Sequence, residues 1–191
     1  TILGSSSATP IFNRNPTAQL LNVNEKFFLI DCGEATQQQM LRFEIKAQKI
    51  EHIFISHLHG DHYLGLIGLL SSLHLNGRNK PMHLYAPQEL QEILDIQFKY
   101  SQTQLRYPLY FHNTRFDVSE IIFESLDMVV ETIILNHRIP CTGFKFIGKK
   151  RLPKIIKEKV EKLKIPVEQI PLIKRGHSFT DASGKLHPAN E

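Results

Sequence analysis

The chain has 191 residues, a formal net charge of +4 with ten histidines counted neutral, 41% hydrophobic residues and 22% charged residues. That is enough for one domain with a sizeable core, and the balance is ordinary for a soluble globular protein rather than a disordered or fibrous one. The longest apolar stretch, 63–75, is too short and too interrupted to span a bilayer, and no basic segment with an apolar core and cleavage site opens the chain, so neither a membrane partner nor a secretory signal is expected.

Residues 1–4 read as the end of a strand, followed by the small, polar, turn-forming run Ser5-Ser6-Ser7-Ala8-Thr9-Pro10. Arg14, in the loop Asn13-Arg14-Asn15-Pro16, offers a cation for phosphate beside those hydroxyls and backbone N–H groups; an ordinary surface loop reads equally well. Gln19–Val23 and Lys26–Ile30 are apolar runs parted by Asn24-Glu25, which predicts a β-hairpin. Asp31-Cys32-Gly33-Glu34 follows, and a helix is predicted over 34–42 with the Glu34 acid in its first turn. Asp31 reads as a helix cap or as the acceptor that orients a metal-bound histidine.

His52-Ile53-Phe54-Ile55-Ser56 predicts a short buried strand, and one buried helix is predicted over 61–75. Between them lies His57-Leu58-His59-Gly60-Asp61-His62. In an extended loop, residues two apart point the same way, so His57 and His59 can share one metal. Asp61 and His62, at the turn into the helix, can face a second. Imidazole with carboxylate suits zinc, with manganese or iron as lesser fits.

Downstream, 82–85 is predicted as a strand and Pro87 as the start of a helix whose apolar residues Leu90, Ile93, Leu94 and Phe98 fall at helical spacing. Further strands are predicted at 109–111, 121–123, 128–135 and 143–147. His137 stands at a strand end. Cys32 and Cys141 are the only cysteines and read as reduced thiols of a cytoplasmic protein. From Lys145 to Arg175 there are eleven Lys/Arg against three Glu. Ile155, Ile156, Val160 and Leu163 lie at near-helical spacing among them, which reads as a solvated amphipathic helix or as a phosphate-neutralising surface.

The His-x-His-x-Asp-His string resembles the signature of the metallo-β-lactamase superfamily. With Leu3–Pro10, Asp31-Cys32-Gly33-Glu34-Ala35-Thr36-Gln37, the helix Leu64–Leu70 and Leu135-Asn136-His137, the chain is similar over essentially its whole length to the tRNase Z family. The resemblance implies an α/β fold, the αββα metallo-β-lactamase sandwich, here its first half plus a basic arm. It implies His137 as the third imidazole on the first zinc and Asp31 as the acceptor behind a ligand histidine. It further implies Asp61 as both a ligand and the proton acceptor of the attacking water, and two zinc ions per complete site, with manganese as a substitute. The expected activity is endoribonuclease cleavage of precursor tRNA at its 3′ end. A homodimer and a cytoplasmic location are expected with it.

The family continues beyond the point corresponding to Glu191, with a bridging Asp, a last His ligand and a Glu/His pair. The chain by itself is therefore expected to bind metal weakly and to be inactive. Expected divisions are 1–148 (N-terminal part of the metallo-β-lactamase-like domain), 149–176 (basic arm-like segment) and 177–191 (start of the second half). Lys149, Lys150, Arg151, Lys154 and Lys157 are expected to meet RNA. The usual Gly-Pro motif of the family arm is replaced here by Ile165-Pro166-Val167-Glu168-Gln169-Ile170-Pro171, which implies an altered arm. Two rival readings are a hydrolase of a small phosphodiester or thioester with the same ligands, and a non-catalytic RNA-binding half-domain.

Overall fold

Strands rich in β-branched and aromatic residues alternate with helices from residue 26 onward, and that alternation builds a parallel sheet. The computed structural model describes residues 1–9, 11–149 and 153–189. Tertiary contacts divide the chain into two units, Thr1–Ile147 and Gly148–Glu191.

In the first unit, β1 (Ile2–Gly4), β2 (Ala18–Val23), β3 (Lys26–Ile30), β4 (Ile50–Phe54), β5 (Met82–Ala86) and β6 (Leu109–Asn113) form one sheet in that order. The first two pairings are antiparallel and the last three parallel. The β2–β3 turn places Asn24 at φ 51° and Glu25 at φ 64°. Two consecutive left-handed residues match the twist of a two-residue hairpin.

The parallel pairings are bridged by α1 (Thr36–Arg42), by α2 (Gly60–Tyr63) with α3 (Leu66–Leu75), and by α4 (Glu89–Tyr100). Leu29, Ile53 and Leu84 on one sheet face pack with Met40, Leu69, Leu70, Leu90 and Leu94 from the helices. On the other face Phe28, Phe54 and Tyr85 pack against Met128 and Val130. Those two belong to a second sheet of β7 (Ile121–Glu124), β8 (Met128–Ile134) and β9 (Thr142–Gly148). The layers are thus helix, sheet, sheet, each face buried as a central parallel sheet requires.

Two expectations need correction. Helix α1 starts at Thr36, and its first turn holds no acid. Ala35 at φ 63° precedes it, so Glu34 lies before the helix rather than in it. The helix predicted over 61–75 is broken into α2 and α3 at Leu64-Gly65. The break is tertiary in origin. Gly65 N–H donates to Cys32 O at 2.9 Å, and a Cβ on Gly65 would lie 2.1 Å from Gly33 O. The backbone must bend to make that approach, and only glycine allows it.

The second unit carries α5 (Lys157–Lys162), a 3₁₀ turn at Val167–Gln169, α6 (Ile170–Lys174) and a hairpin of β10 (Phe179–Thr180) with β11 (Leu186–His187). Asp181 Oδ1 accepts from Ser183 N–H at 2.9 Å and Lys185 N–H at 3.1 Å, and Asp181 Oδ2 lies 2.8 Å from His187 Nε2. That side chain closes the hairpin turn. Among the described residues no helix is long and apolar enough to cross a membrane.

Candidate metal centre

The site lies at the carboxyl end of the parallel strands. Ile55 N–H donates to Tyr85 O and Thr142 N–H to Ser56 O, so the chain leaving β4 is held from both sides. Asp31 reaches the same place from β3, its N–H donating to Phe54 O at 2.7 Å. Its φ of 56° is a left-handed conformation that Asp tolerates better than most residues. Cys32 N–H donates to His62 O at 2.7 Å, fastening this corner to the histidine-rich loop.

His57, His59 and His137 converge, their ligand atoms all within 4.8 Å of one another. His57 Nε2 is 3.1 Å from His59 Nδ1, and His137 Nε2 is 3.2 Å from the same atom. The ring planes stand at 79°, 75° and 82° to one another. Three mutually perpendicular imidazoles presenting nitrogen to one point suit a tetrahedral ion: ligands about 2.0–2.1 Å from zinc lie about 3.3 Å apart. Among the described residues this is the group of three that could hold a metal. The donor set fits the ion that the sequence predicts.

Asp61 and His62 form a second, smaller group, with His62 Nε2 3.4 Å from Asp61 Oδ2. Both side chains are largely shielded. On the opposite ring edge, His62 Nδ1 lies 2.8 Å from Asp31 Oδ2. Burial, reinforced by neighbouring His62, brings the His57 imidazole down to about 4, which keeps it in the neutral form a metal ligand needs. His62 moves the other way. Burial pulls it down, but the hydrogen bond and charge of Asp31, aided by Asp61, outweigh this and raise it.

The structure thus brings together His57, His59, Asp61, His62, His137 and Asp31. Two further residues are present to which the sequence assigned no role. Ser56 Oγ lies 3.1 Å from Asp31 Oδ2, 2.9 Å from His57 Nδ1 and 3.2 Å from His62 Nδ1. Arg138 Nη2 lies 3.3 Å from His59 Nε2, which puts a cation at the rim. The position of Ser56 next to the motif was visible, but its partner Asp31 is 25 residues away. Cys141 Sγ is 3.6 Å from His57 Nδ1, on the ring edge away from the three-nitrogen centre. Both cysteines are free thiols, and burial pushes Cys32 up to about 12 and raises Cys141 as well.

Of the expected RNA contacts, Arg14 is exposed in the loop after β1. Lys150 and Arg151 lie outside the described residues. Lys149 is half-buried, and Lys154 and Lys157 are exposed in the second unit. There a cavity of about 500 Å³ has Lys154, Lys159, Lys162, Lys174 and Lys185 in its wall.

The helix–sheet–sheet layering and a histidine cluster at the strand ends define a metallo-β-lactamase fold. The metallo-β-lactamase-fold protein YhfI of Bacillus subtilis superposes with a TM-score of 0.58 at 17% identity, over 76% of this chain and 57% of that one. A family model described as "Anti-Pycsar protein Apyc1" matches residues 1–151, and the chain belongs to that family. It is also similar to the ribonuclease Z of Bacteroides thetaiotaomicron, 40% identical over 187 residues, covering 98% of this chain and 59% of the relative. The short form of human tRNase Z superposes with a TM-score of 0.71 at 33% identity, over 78% of this chain and 63% of that one. The chain spans about 59–62% of the length of the curated ribonuclease Z relatives it matches.

Proposed function

We propose that the chain is the ligand-bearing N-terminal part of a zinc-dependent endoribonuclease that removes the 3′ trailer from precursor tRNA. The observation that carries this reading is the convergence of His57, His59 and His137 on one point, in a chain similar along nearly its whole length to ribonuclease Z. His57, His59 and His137 would hold one ion, and Asp61 with His62 would contribute to the second. What zinc supplies there is Lewis acidity toward a phosphoryl oxygen and a lowered pKa for water. Asp61 accepts the proton of the attacking water. Asp31 orients His62 from behind, and Arg138 neutralises phosphate charge at the rim.

Lys149, Lys154 and Lys157, with Lys150, Arg151 and Arg14, give the longer protein salt-dependent and largely sequence-independent contacts to the RNA backbone. The three divisions 1–148, 149–176 and 177–191, a homodimer and a cytoplasmic setting complete this reading.

The test is a chimera that joins residues 1–191 to the remaining part of the Bacteroides enzyme. It is expected to cleave a precursor tRNA at the 3′ trailer with zinc or manganese, and Asp61→Ala is expected to lower the rate at least ~100-fold. Unchanged cleavage by Asp61→Ala contradicts the role given to that carboxylate.

A second reading, hydrolysis of a small phosphodiester with the same ligands, is favoured by one observation. The family match ends at residue 151, before most of the basic segment. Reversing the charge of Lys154, Lys157 and Lys159 separates the two. A loss of RNA affinity at low salt supports the first reading, and unchanged affinity supports the second.

A further inference from the structure

The hydroxyl of Ser56 has one proton to give and two lone pairs to receive with. It is buried, and it faces three polar groups: Asp31 Oδ2 at 3.1 Å, His57 Nδ1 at 2.9 Å and His62 Nδ1 at 3.2 Å. Cys141 Sγ, at 3.6 Å, is a second and weaker neighbour of the same His57 nitrogen. These contacts limit where the protons can lie.

As a carboxylate, Asp31 only accepts. Its Oδ1 receives the Ser56 backbone N–H at 2.8 Å. Its Oδ2 lies 2.8 Å from His62 Nδ1, so His62 carries a proton on Nδ1. The same Oδ2 faces Ser56 Oγ, and two oxygens at 3.1 Å need a proton between them. The Ser56 proton is therefore committed to Asp31. What Ser56 offers His57 is a lone pair, and His57 must hold its own proton on Nδ1. That leaves His57 Nε2 bare, facing His59 Nδ1 in the three-imidazole centre. The opposite arrangement, with Ser56 donating to His57, would set a serine lone pair against the carboxylate.

We propose that Ser56 is a positioning residue that relays the Asp31 carboxylate to His57, so that one carboxylate sets the tautomers of two histidines, one from each half of the metal centre. Asp31 acts on His62 directly and on His57 through the serine hydroxyl. The inference rests on the metal-centre reading for its purpose, but the proton positions follow from contacts within the chain. Outer partners of this kind hold a ligand imidazole in its binding tautomer, and losing one costs about 10–100-fold in metal affinity.

The test reads tautomers directly, by long-range ¹H–¹⁵N correlation of the imidazoles in the zinc-free chain, followed by a cobalt titration. Wild type is expected to show both His57 and His62 protonated on Nδ1. Ser56→Ala is expected to move His57 toward the Nε2-protonated form, to leave His62 in place and to weaken cobalt binding about 10-fold. Ser56→Thr, which keeps the hydroxyl, restores both readings. Cys141→Ala, which removes the other neighbour of the ring, changes neither.

Several results overturn the proposal: His57 protonated on Nε2 in the wild-type chain, which needs no variant to fold; a Ser56→Ala chain with unchanged tautomer and cobalt affinity; or a Cys141→Ala chain that shifts as Ser56→Ala does. A wild-type chain with the expected tautomers and no cobalt binding would sink the metal-centre reading while supporting the relay.

Discussion

The Asp31 carboxylate accepts from His62 Nδ1 across 2.8 Å, and this contact ties the end of β3 to the histidine-rich loop after β4. It places a negative charge on the side of the ring that faces away from Asp61. Such a partner holds the ring in one tautomer and makes the ligand nitrogen more basic. Asp31→Asn tests this cleanly, because Asn tolerates the left-handed backbone at least as well as Asp. Metal affinity is expected to fall about 10–100-fold with the fold retained, read by titration and circular dichroism. An Asp31→Asn chain that binds metal as tightly as wild type would contradict the role of the charge.

Gly33 and Gly65 are where two backbone segments cross without room for a side chain. A Cβ at Gly65 would meet backbone atoms of Gly33 and Cys32, none of which can swing away. Gly65→Ala should therefore cost about 1–3 kcal/mol or more, read from the urea midpoint. Gly68 is the contrast. A Cβ there would be 3.0 Å from Gln37 Nε2, the far end of a flexible side chain. Gly68→Ala lies within α3 and should be neutral or stabilising by up to about 1 kcal/mol. Equal destabilisation by both would contradict the crossing argument.

These two positions also mark how far the sequence could be read. The β2–β3 hairpin was legible because Asn24-Glu25 parts two apolar runs, and β4 because its apolar run feeds straight into the ligand string. The residues of the centre were legible as types at a spacing, with the third imidazole and Asp31 supplied by family resemblance. The interruption of the helix at Gly65 was not legible, because its cause is a contact with Gly33, distant in sequence. Nor was Ser56, whose partner is a carboxylate just past the end of β3.

The same holds for His52, His83 and His112, which matched no ligand spacing. Parallel register sets His52 beside His83, while His112, opposite Tyr85, reaches His83 diagonally from β6. Their rings run in line, with centroids 5.0 Å and 5.2 Å apart, and His83 Nδ1 lies 3.0 Å from His112 Nε2.

That row predicts an acid sensitivity of the fold. Burial first, then the charges of His83, His112 and Lys26, bring His52 down to about 4 from its ordinary 6.5. His83 and His112 are lowered as well, mainly by burial. Between those two values the unfolded chain binds protons that the folded chain refuses, so stability falls as pH falls from about 6.5 toward 4. His57, also brought down to about 4, adds to the trend, and His62, which is raised, opposes it. The melting temperature is expected to drop through this window. His52→Phe, packed beside Phe28 and Phe123, should flatten the drop. An unchanged slope in His52→Phe would show that His52 is not its source.

Burial also bears on the thiols. Cys32 is fully enclosed and pushed up to about 12, so almost none of it is thiolate at neutral pH. It should resist alkylation in the folded chain and react on unfolding, as mass spectrometry would show. Rapid labelling of Cys32 under native conditions would contradict its placement in the core.

The central claim is that His57, His59 and His137 together hold a metal ion. The most direct measurement is a cobalt titration of the 191-residue chain followed by visible absorption, with His59→Ala as the comparison, because His59 Nδ1 lies within 3.2 Å of both other ligand nitrogens. The predicted result is the intense absorption of a four-coordinate, tetrahedral ion, rising with excess cobalt to a plateau of one ion per chain and lost in His59→Ala. No such absorption in the wild-type chain, or its persistence in His59→Ala, would contradict the account.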